Sequence, residues 1–209
     1  MEHGYDSERG RAAIRRMNNI HHHFPIENDD FLYTLSVFVL EPIRWNALLG
    51  WRQFSEKEKQ AGFLFWREVG KRMNIKDIPD TYEAFERWSL NYEREQFFYG
   101  DTNRKIADAT IRIFAGWVPR FMRPAVQPMV VALITDDVRE AFGYQKSGAW
   151  LTWLLKKALR LRAGIIRLLP ANTKPYLYTK QKNRTYPQGY EIAELGSLPE
   201  RAEFGSAAD

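Results

Sequence analysis

Apolar positions recur at helical rather than alternating spacing along the whole chain, and the runs are broken by cap residues, glycines and prolines. Ser7 stands where its side chain can cap a first helix through about Ile20, which ends near the histidines and Pro25. Asn28, Asp29 and Asp30 offer a cap for a strongly apolar second helix, predicted from Phe31 past Trp45 with Pro42 as a kinking position. Ser55-Glu-Lys-Glu58 matches a capping box, and Ala61, Leu64, Phe65, Glu68, Val69 and Met73 continue at helical spacing into a third helix. Ile75 to Pro79 is a break. Thr81 and Glu83 open a helix through about Phe98, and Thr102 starts one reaching toward Trp117. Pro119, Pro124 and Pro128 punctuate a turn region before a predicted core helix from Met129 to Phe142. A helix over Trp150 to Leu169 follows, then a Gly/Pro/Tyr-rich stretch from Ala171. With no strand pattern and no internal repeat, the reading is an all-α fold. It expects a single multi-helix domain over residues 1–170, ending in a basic amphipathic helix, and an irregular tail over residues 171–209.

Composition narrows the chemistry. A chain of 209 residues with 44% apolar and 14% aromatic residues can bury a sizeable core. It has no cysteine, which removes disulfides, zinc-thiolate sites, iron-sulfur clusters and thiolate-ligated haem. The opening Met-Glu-His-Gly-Tyr-Asp lacks the apolar core of a signal peptide, and no stretch approaches the roughly 20 uncharged apolar residues of a spanning helix.

The net charge of +5 conceals an asymmetry. Between Ala141 and Tyr190 there are ten Lys and Arg and no Asp or Glu, while the rest of the chain holds 21 basic against 26 acidic residues. Such a segment points to an anionic partner for one face. In the Trp150–Leu169 run, Thr152, Lys156, Lys157, Arg160, Gly164 and Arg167 fall along one side at helical spacing. Trp150, Leu151, Leu154, Leu155, Ala158, Leu159, Leu161, Ile165, Ile166 and Leu168 fill the wide remainder, interrupted by Arg162. That pattern suits a helix lying in a lipid headgroup layer, and it equally suits a core helix with a solvated basic face. No recognised nucleic-acid motif accompanies the charge.

All four histidines lie within the first 23 positions, three of them as His21-His22-His23, and imidazole is the strongest candidate metal ligand available. Successive helical side chains point about 100° apart, so at most one or two of the three can face inward. A histidine at a helix end can also serve simply as a polar C-terminal cap. The chain has no His-Glu-x-x-His pair, no Glu-x-x-His di-iron pairing, no nucleophile elbow, no phosphate-binding loop and no dinucleotide fingerprint.

Several ordered segments resemble a known family. They are Arg16-Met-Asn-Asn-Ile-His21, the run Ile26 to Arg44, Gly50-Trp-Arg52, Glu58-Lys-Gln-Ala61, Phe65 to Met73, Asp77-Ile-Pro79 and Asn91-Tyr-Glu93. From about Ser7 to Thr110, with a weaker echo in Asn183 to Tyr190, the chain is similar to the endoplasmic-reticulum-bound oxygenase mpaB and its distant relative, the rubber oxygenase (latex clearing protein). The resemblance implies an all-helical oxidoreductase of secondary metabolism that binds haem b through one histidine and uses dioxygen to cleave carbon-carbon double bonds of a lipophilic, isoprenoid-type substrate. It implies His21 as the iron ligand, with Arg15, Arg16 and Arg52 as cations for the haem propionates. His22 and His23 then sit behind the ligand or face solvent. Asn28, Asp29 or Glu41 would accept the other imidazole N–H. Phe24, Phe31, Leu35, Phe38 and Trp45 would form an apolar wall. It also implies an intracellular protein peripheral to the endoplasmic reticulum membrane, touching it through residues 150–169. The chain departs from the pattern at Pro25, where the rubber oxygenase has an arginine. By the same resemblance, a chain that begins almost at the expected ligand helix is expected to lack the N-terminal region that supplies groups over the iron in the family, as a natural short form, a misplaced start or a fragment. A non-catalytic, membrane-peripheral relative is the alternative expectation.

Overall fold

The computed structural model describes residues 2–170, 173–174, 176–181 and 186–196. Among them are eight α-helices and no strand: α1 (Glu8–His21), α2 (Asn28–Leu49), α3 (Glu56–Arg72), α4 (Tyr82–Gln96), α5 (Asp101–Gly116), α6 (Arg123–Val131), α7 (Asp136–Ala141) and α8 (Ala149–Leu168), with single 3₁₀ turns at Arg120–Met122, Tyr178–Lys180 and Ile192–Glu194. The fold class is all-α.

Local chemistry sets most of the boundaries. Ser7 Oγ accepts from the Gly10 amide at 2.9 Å and starts α1. Thr81 does the same for α4 through the Ala84 amide at 3.1 Å. The end of α3 is a Schellman turn. Asn74 takes a left-handed conformation, φ 63°, the Ile75 amide reaches back to the Gly70 carbonyl at 3.1 Å, and the Asn74 amide reaches Lys71 at 3.1 Å.

Two expectations need correction. The predicted helix from Met129 to Phe142 is two helices. Pro124 and Pro128 lie inside α6 rather than before it, and Thr135 caps α7 by accepting from the Val138 amide at 3.4 Å. Pro124, at the second position of α6, loses only an amide that has no partner there anyway, and α6 carries Pro128 in its interior, whereas Thr135-Asp-Asp137 is a strong helix-start signal. Asn28 is not a cap: it is the first residue of α2, and its carboxamide pairs with the Lys76 backbone in both directions, at 2.8 and 3.3 Å.

The chain divides into two compact units. The first comprises residues 1–39, 57–80 and 171–209, and the second residues 40–56 and 81–170, with the division falling within α2 just ahead of Pro42. In the first unit, Ile14, Leu32, Leu35, Val39, Phe63, Val69 and Ile75 form the buried apolar set. Gly70 lets α3 approach α2 closely, since a Cβ there would stand 2.5 Å from a Leu35 methyl and 2.8 Å from Ile78 Cδ1. Later residues of the chain join this unit through the Leu195 carbonyl, which accepts from Arg16 Nε at 2.7 Å, and through Thr179, whose hydroxyl donates to Glu2 at 2.7 Å.

In the second unit, Leu40, Phe85, Ala107, Val131, Tyr144 and Ala163 are buried. Arg44 of α2 faces three carboxylates, Glu41 at 3.0 Å, Glu93 at 3.7 Å and Glu86 at 3.8 Å. A second polar cluster centres on Tyr144. Its hydroxyl donates to Asp108 at 2.6 Å, the Arg104 guanidinium lies 4.1 Å above its ring and also pairs with Asp108, and its carbonyl accepts from Arg139 at 3.0 Å. Burial, then the hydrogen bond to Asp108, pushes the Tyr144 hydroxyl up to about 12. The bond from Tyr144, seconded by Arg104, holds Asp108 below its ordinary value.

Candidate functional site

The first unit carries a cavity of about 430 Å³ lined by Met17 and His21 of α1, Ile26, the α2 side chains Asp30, Phe31, Thr34, Leu35 and Phe38, the α3 side chains Trp66 and Val69, and Met73 and Ile75 beyond α3. This volume lies within the range of small-molecule sites, and the lining is predominantly apolar. Three features build the wall. Phe31, Leu35 and Phe38 share one side of α2 at i, i+4 and i+7. Phe38 stacks on Trp66, ring centroids 4.7 Å apart with a 21° interplanar angle. The left-handed turn at Asn74 brings Ile75 back against the end of α3.

A more polar cavity of about 350 Å³ shares His21, Ile26, Phe31, Met73 and Ile75 with the first, and adds Asn18, His22, Phe24, Asn28 and Asn74. His21 therefore borders both. Its ring lies 5.1 Å from that of Phe31, tilted by 55°, and its Nδ1 is buried with no hydrogen-bond partner. The other two histidines differ. His22 and His23 are exposed, and His23 Nδ1 donates to the Asn19 carbonyl at 2.6 Å, a local cap on the end of α1.

None of the three acceptors expected for His21 serves that role. Asn28 is committed to the Lys76 backbone, Glu41 accepts from Arg44 at 3.0 Å and Trp45 at 3.1 Å, and Asp29 is exposed. Of the arginines, Arg16 is half-buried with its Nη2 lacking any partner, while Arg15 is exposed on α1. Arg52 belongs to the second unit, where it lies 5.4 Å from the Trp51 ring centroid and donates to the Gln53 carbonyl at 3.1 Å. Neither Arg15 nor Arg16 lines the two cavities that His21 borders.

Residues 3–168 match the family described as ER-bound oxygenase mpaB/B'/Rubber oxygenase, catalytic domain. The chain belongs to this family. Among curated relatives, an ER-bound oxygenase mpaB' of Penicillium brevicompactum is 24% identical over 81% of this chain and 44% of its own length. An ER-bound oxygenase mpaB of Penicillium roqueforti (strain FM164) is 24% identical over 69% of this chain and 54% of its own length. The chain thus spans about half the length of these relatives, or less. No solved structure matches it significantly.

Within this oxygenase family member, Phe31, Leu35 and Phe38 line the apolar cavity as the sequence suggested, Phe24 lines the polar one, and Trp45 lines neither. Sequence reasoning missed Met17, Trp66 and Met73 as wall residues. The signal was present: Trp66 and Val69 are one turn apart on α3, Met73 continues the i+7 spacing just past its end, and Met17 precedes His21 by one turn. Among the described residues no three His, Cys, Asp or Glu side chains come together to hold a metal ion, and no helix is long and apolar enough to cross a membrane.

Proposed function

We propose that this oxygenase-family chain binds haem b through His21 and acts on a lipophilic, isoprenoid-type substrate by oxidative cleavage of a carbon-carbon double bond. The observation that carries the reading is an imidazole nitrogen buried without a partner at the border of an apolar cavity. A polar group left in that state costs about 1–3 kcal/mol, which a ligand able to pair with the ring would recover. The donor set also fits. With no cluster of three ligating side chains among the described residues, a metal at His21 would have to bring most of its ligands with it, as porphyrin iron does. Bound haem would supply the dioxygen chemistry.

What the chain contributes is binding, orientation and exclusion of water. Phe31, Leu35, Phe38 and Trp66 offer an apolar wall on which an isoprenoid chain can lie, and the stacked Phe38–Trp66 pair keeps that wall stiff. Of the three arginines, Arg16 carries the propionate reading, because its buried Nη2 lacks an acceptor and a carboxylate would supply one; Arg15 and Arg52 are exposed. The test is titration with hemin. A Soret band should form with the wild type, persist in His22→Ala and His23→Ala, and vanish in His21→Ala. An unchanged band in His21→Ala would sink the assignment. Hemin binding without turnover of any polyprenyl substrate would favour the non-catalytic relative.

The same reading makes α8 a membrane-facing helix, peripheral to a surface such as that of the endoplasmic reticulum, where the named relatives are bound. The helix is apolar on two sides. Leu151, Leu155, Leu159 and Ala163 turn inward, while Trp150, Trp153, Leu154, Leu161, Ile165 and Leu168 stay exposed beside Lys157, Arg160, Arg162 and Arg167. Flotation with anionic vesicles checks it.

A further inference from the structure

The second unit exposes another apolar run, at the end of α5 and in the 3₁₀ turn that follows. Ile113 is 59%, Trp117 61%, Phe121 83% and Met122 42% exposed. Ile113 and Trp117 stand one turn apart at the end of α5, and Phe121 and Met122 follow in the 3₁₀ turn beyond the extended Pro119. The charge around them has one sign. Arg120 and Arg123 are exposed and no Asp or Glu occurs between Asp108 and Asp136, while the exposed Arg112 stands one turn from Asp108 and acts on it. The turn runs directly into α6, which packs against α8, and the Ser147 hydroxyl just before α8 donates to the Pro128 carbonyl of α6 at 3.0 Å. The aromatic turn is thus tied through α6 to the helix that carries Trp150 and Trp153.

We infer that the segment Ile113–Arg123 is a second membrane-contact element, in which Trp117 and Phe121 enter the headgroup layer of an anionic lipid surface while Arg120 and Arg123 pair with lipid phosphates. The inference rests on the reading of α8 as membrane-facing. Tryptophan and phenylalanine beside arginine is the composition an interfacial anchor uses, with rings at headgroup depth and guanidinium groups bidentate on phosphate. Charge decides between lipid and a second copy of this chain. An isologous pair would bring Arg120 and Arg123 face to face with their own copies and no Asp or Glu in the segment between them, whereas a phosphate layer neutralises both.

The test is flotation of the full chain with vesicles of phosphatidylcholine and phosphatidylserine in equal parts, alongside phosphatidylcholine alone. Trp117→Ala/Phe121→Ala should lower partitioning about tenfold. Arg120→Ala/Arg123→Ala should lower it roughly 30-fold on the anionic vesicles and little on the neutral ones. Trp150→Ala/Trp153→Ala is the arm for α8. If the wild type does not float, the α8 reading fails and takes this inference with it. If the α8 variant loses binding while the Trp117/Phe121 variant floats like the wild type, α8 stands and the second element is refuted. Quenching by brominated lipid gives a readout independent of folding losses: Trp117→Phe should remove part of the lipid-quenched emission, and an unchanged quenched fraction overturns the inference. Self-association without lipid that disappears in Trp117→Ala, with no flotation, would assign the face to a protein contact and overturn it too.

Discussion

The two units differ in what they leave unsatisfied. Of the four buried side-chain nitrogen and oxygen atoms without a partner among the described residues, three belong to the first unit, on Arg16, His21 and Arg67, and His21 borders both of its cavities. In the second unit, Tyr144, Asp108, Arg104 and Arg139 answer one another's hydrogen bonds, and the deficit is apolar instead: tryptophan, phenylalanine and leucine side chains face outward along α5, the following turn and α8. An unmet buried nitrogen calls for a small ligand with a polar or metal centre. Unmet apolar surface beside cations calls for an extended anionic one. On the proposed reading, the chemistry of the site falls in the first unit and that of attachment in the second.

The comparison can be broken in three places, the largest effect first. Gly70→Ala presses a methyl onto Leu35, a cavity-wall residue, so it should destabilise the first unit by about 1–3 kcal/mol and weaken hemin binding as the wall shifts. Denaturant melts and hemin titration report the two effects separately, and a loss of stability with unchanged hemin affinity would detach Gly70 from the site.

Tyr144→Phe tests the satisfied cluster and should cost about 1 kcal/mol at neutral pH. Its pH signature is more telling. Because folding raises the Tyr144 value from 10.0 to about 12, the stability it contributes is complete below pH 10 and is lost as pH rises toward 12; the variant should lack that step. Asp108 works in the opposite sense. Held below its ordinary value, chiefly by the Tyr144 hydroxyl and then by Arg104, it contributes stability above that value that fades as pH falls through its folded one. Tyr144→Phe should blunt this acid-side loss too, as followed by helical circular dichroism against pH.

The smallest effect is at Asn74. Its left-handed backbone is tolerated by asparagine and freely open to glycine, so Asn74→Ala should cost up to about 1 kcal/mol and Asn74→Gly much less. Equal melting temperatures for the two variants would show that the turn is not strained.

Helices were legible in the sequence wherever a cap announced them. Ser7 and Thr81 bond the amides that a capping side chain should, and α1 and α4 begin immediately after them. The reading failed where two local rules competed. Proline chemistry predicts a break at Pro124 and Pro128, yet both sit inside α6, and apolar spacing across Met129 to Phe142 masks the start signal at Thr135-Asp-Asp137. The site was partly legible. Phe31, Leu35 and Phe38 at helical spacing are legible as one side of α2, and Trp66 and Val69 as one turn of α3, whereas the choice of His21 among the three histidines follows only from the family resemblance. The missing acceptor for the His21 ring has two causes: Asn28 is committed to the Lys76 backbone, a neighbour far away in sequence, and Glu41 is taken by Arg44 and Trp45 of its own helix.

The chain passes between the units four times, at 39/40, 56/57, 80/81 and 170/171. No single proteolytic cut or truncation can release either unit intact, and one such cut would fall within α2. During synthesis the first unit stays incomplete until the residues beyond 170 have left the ribosome, because Leu195 must return to Arg16 and Thr179 to Glu2. Such long loops are slow to close, so growing chains should spend longer in chaperone-accessible states than a helical protein of this size with only neighbouring contacts.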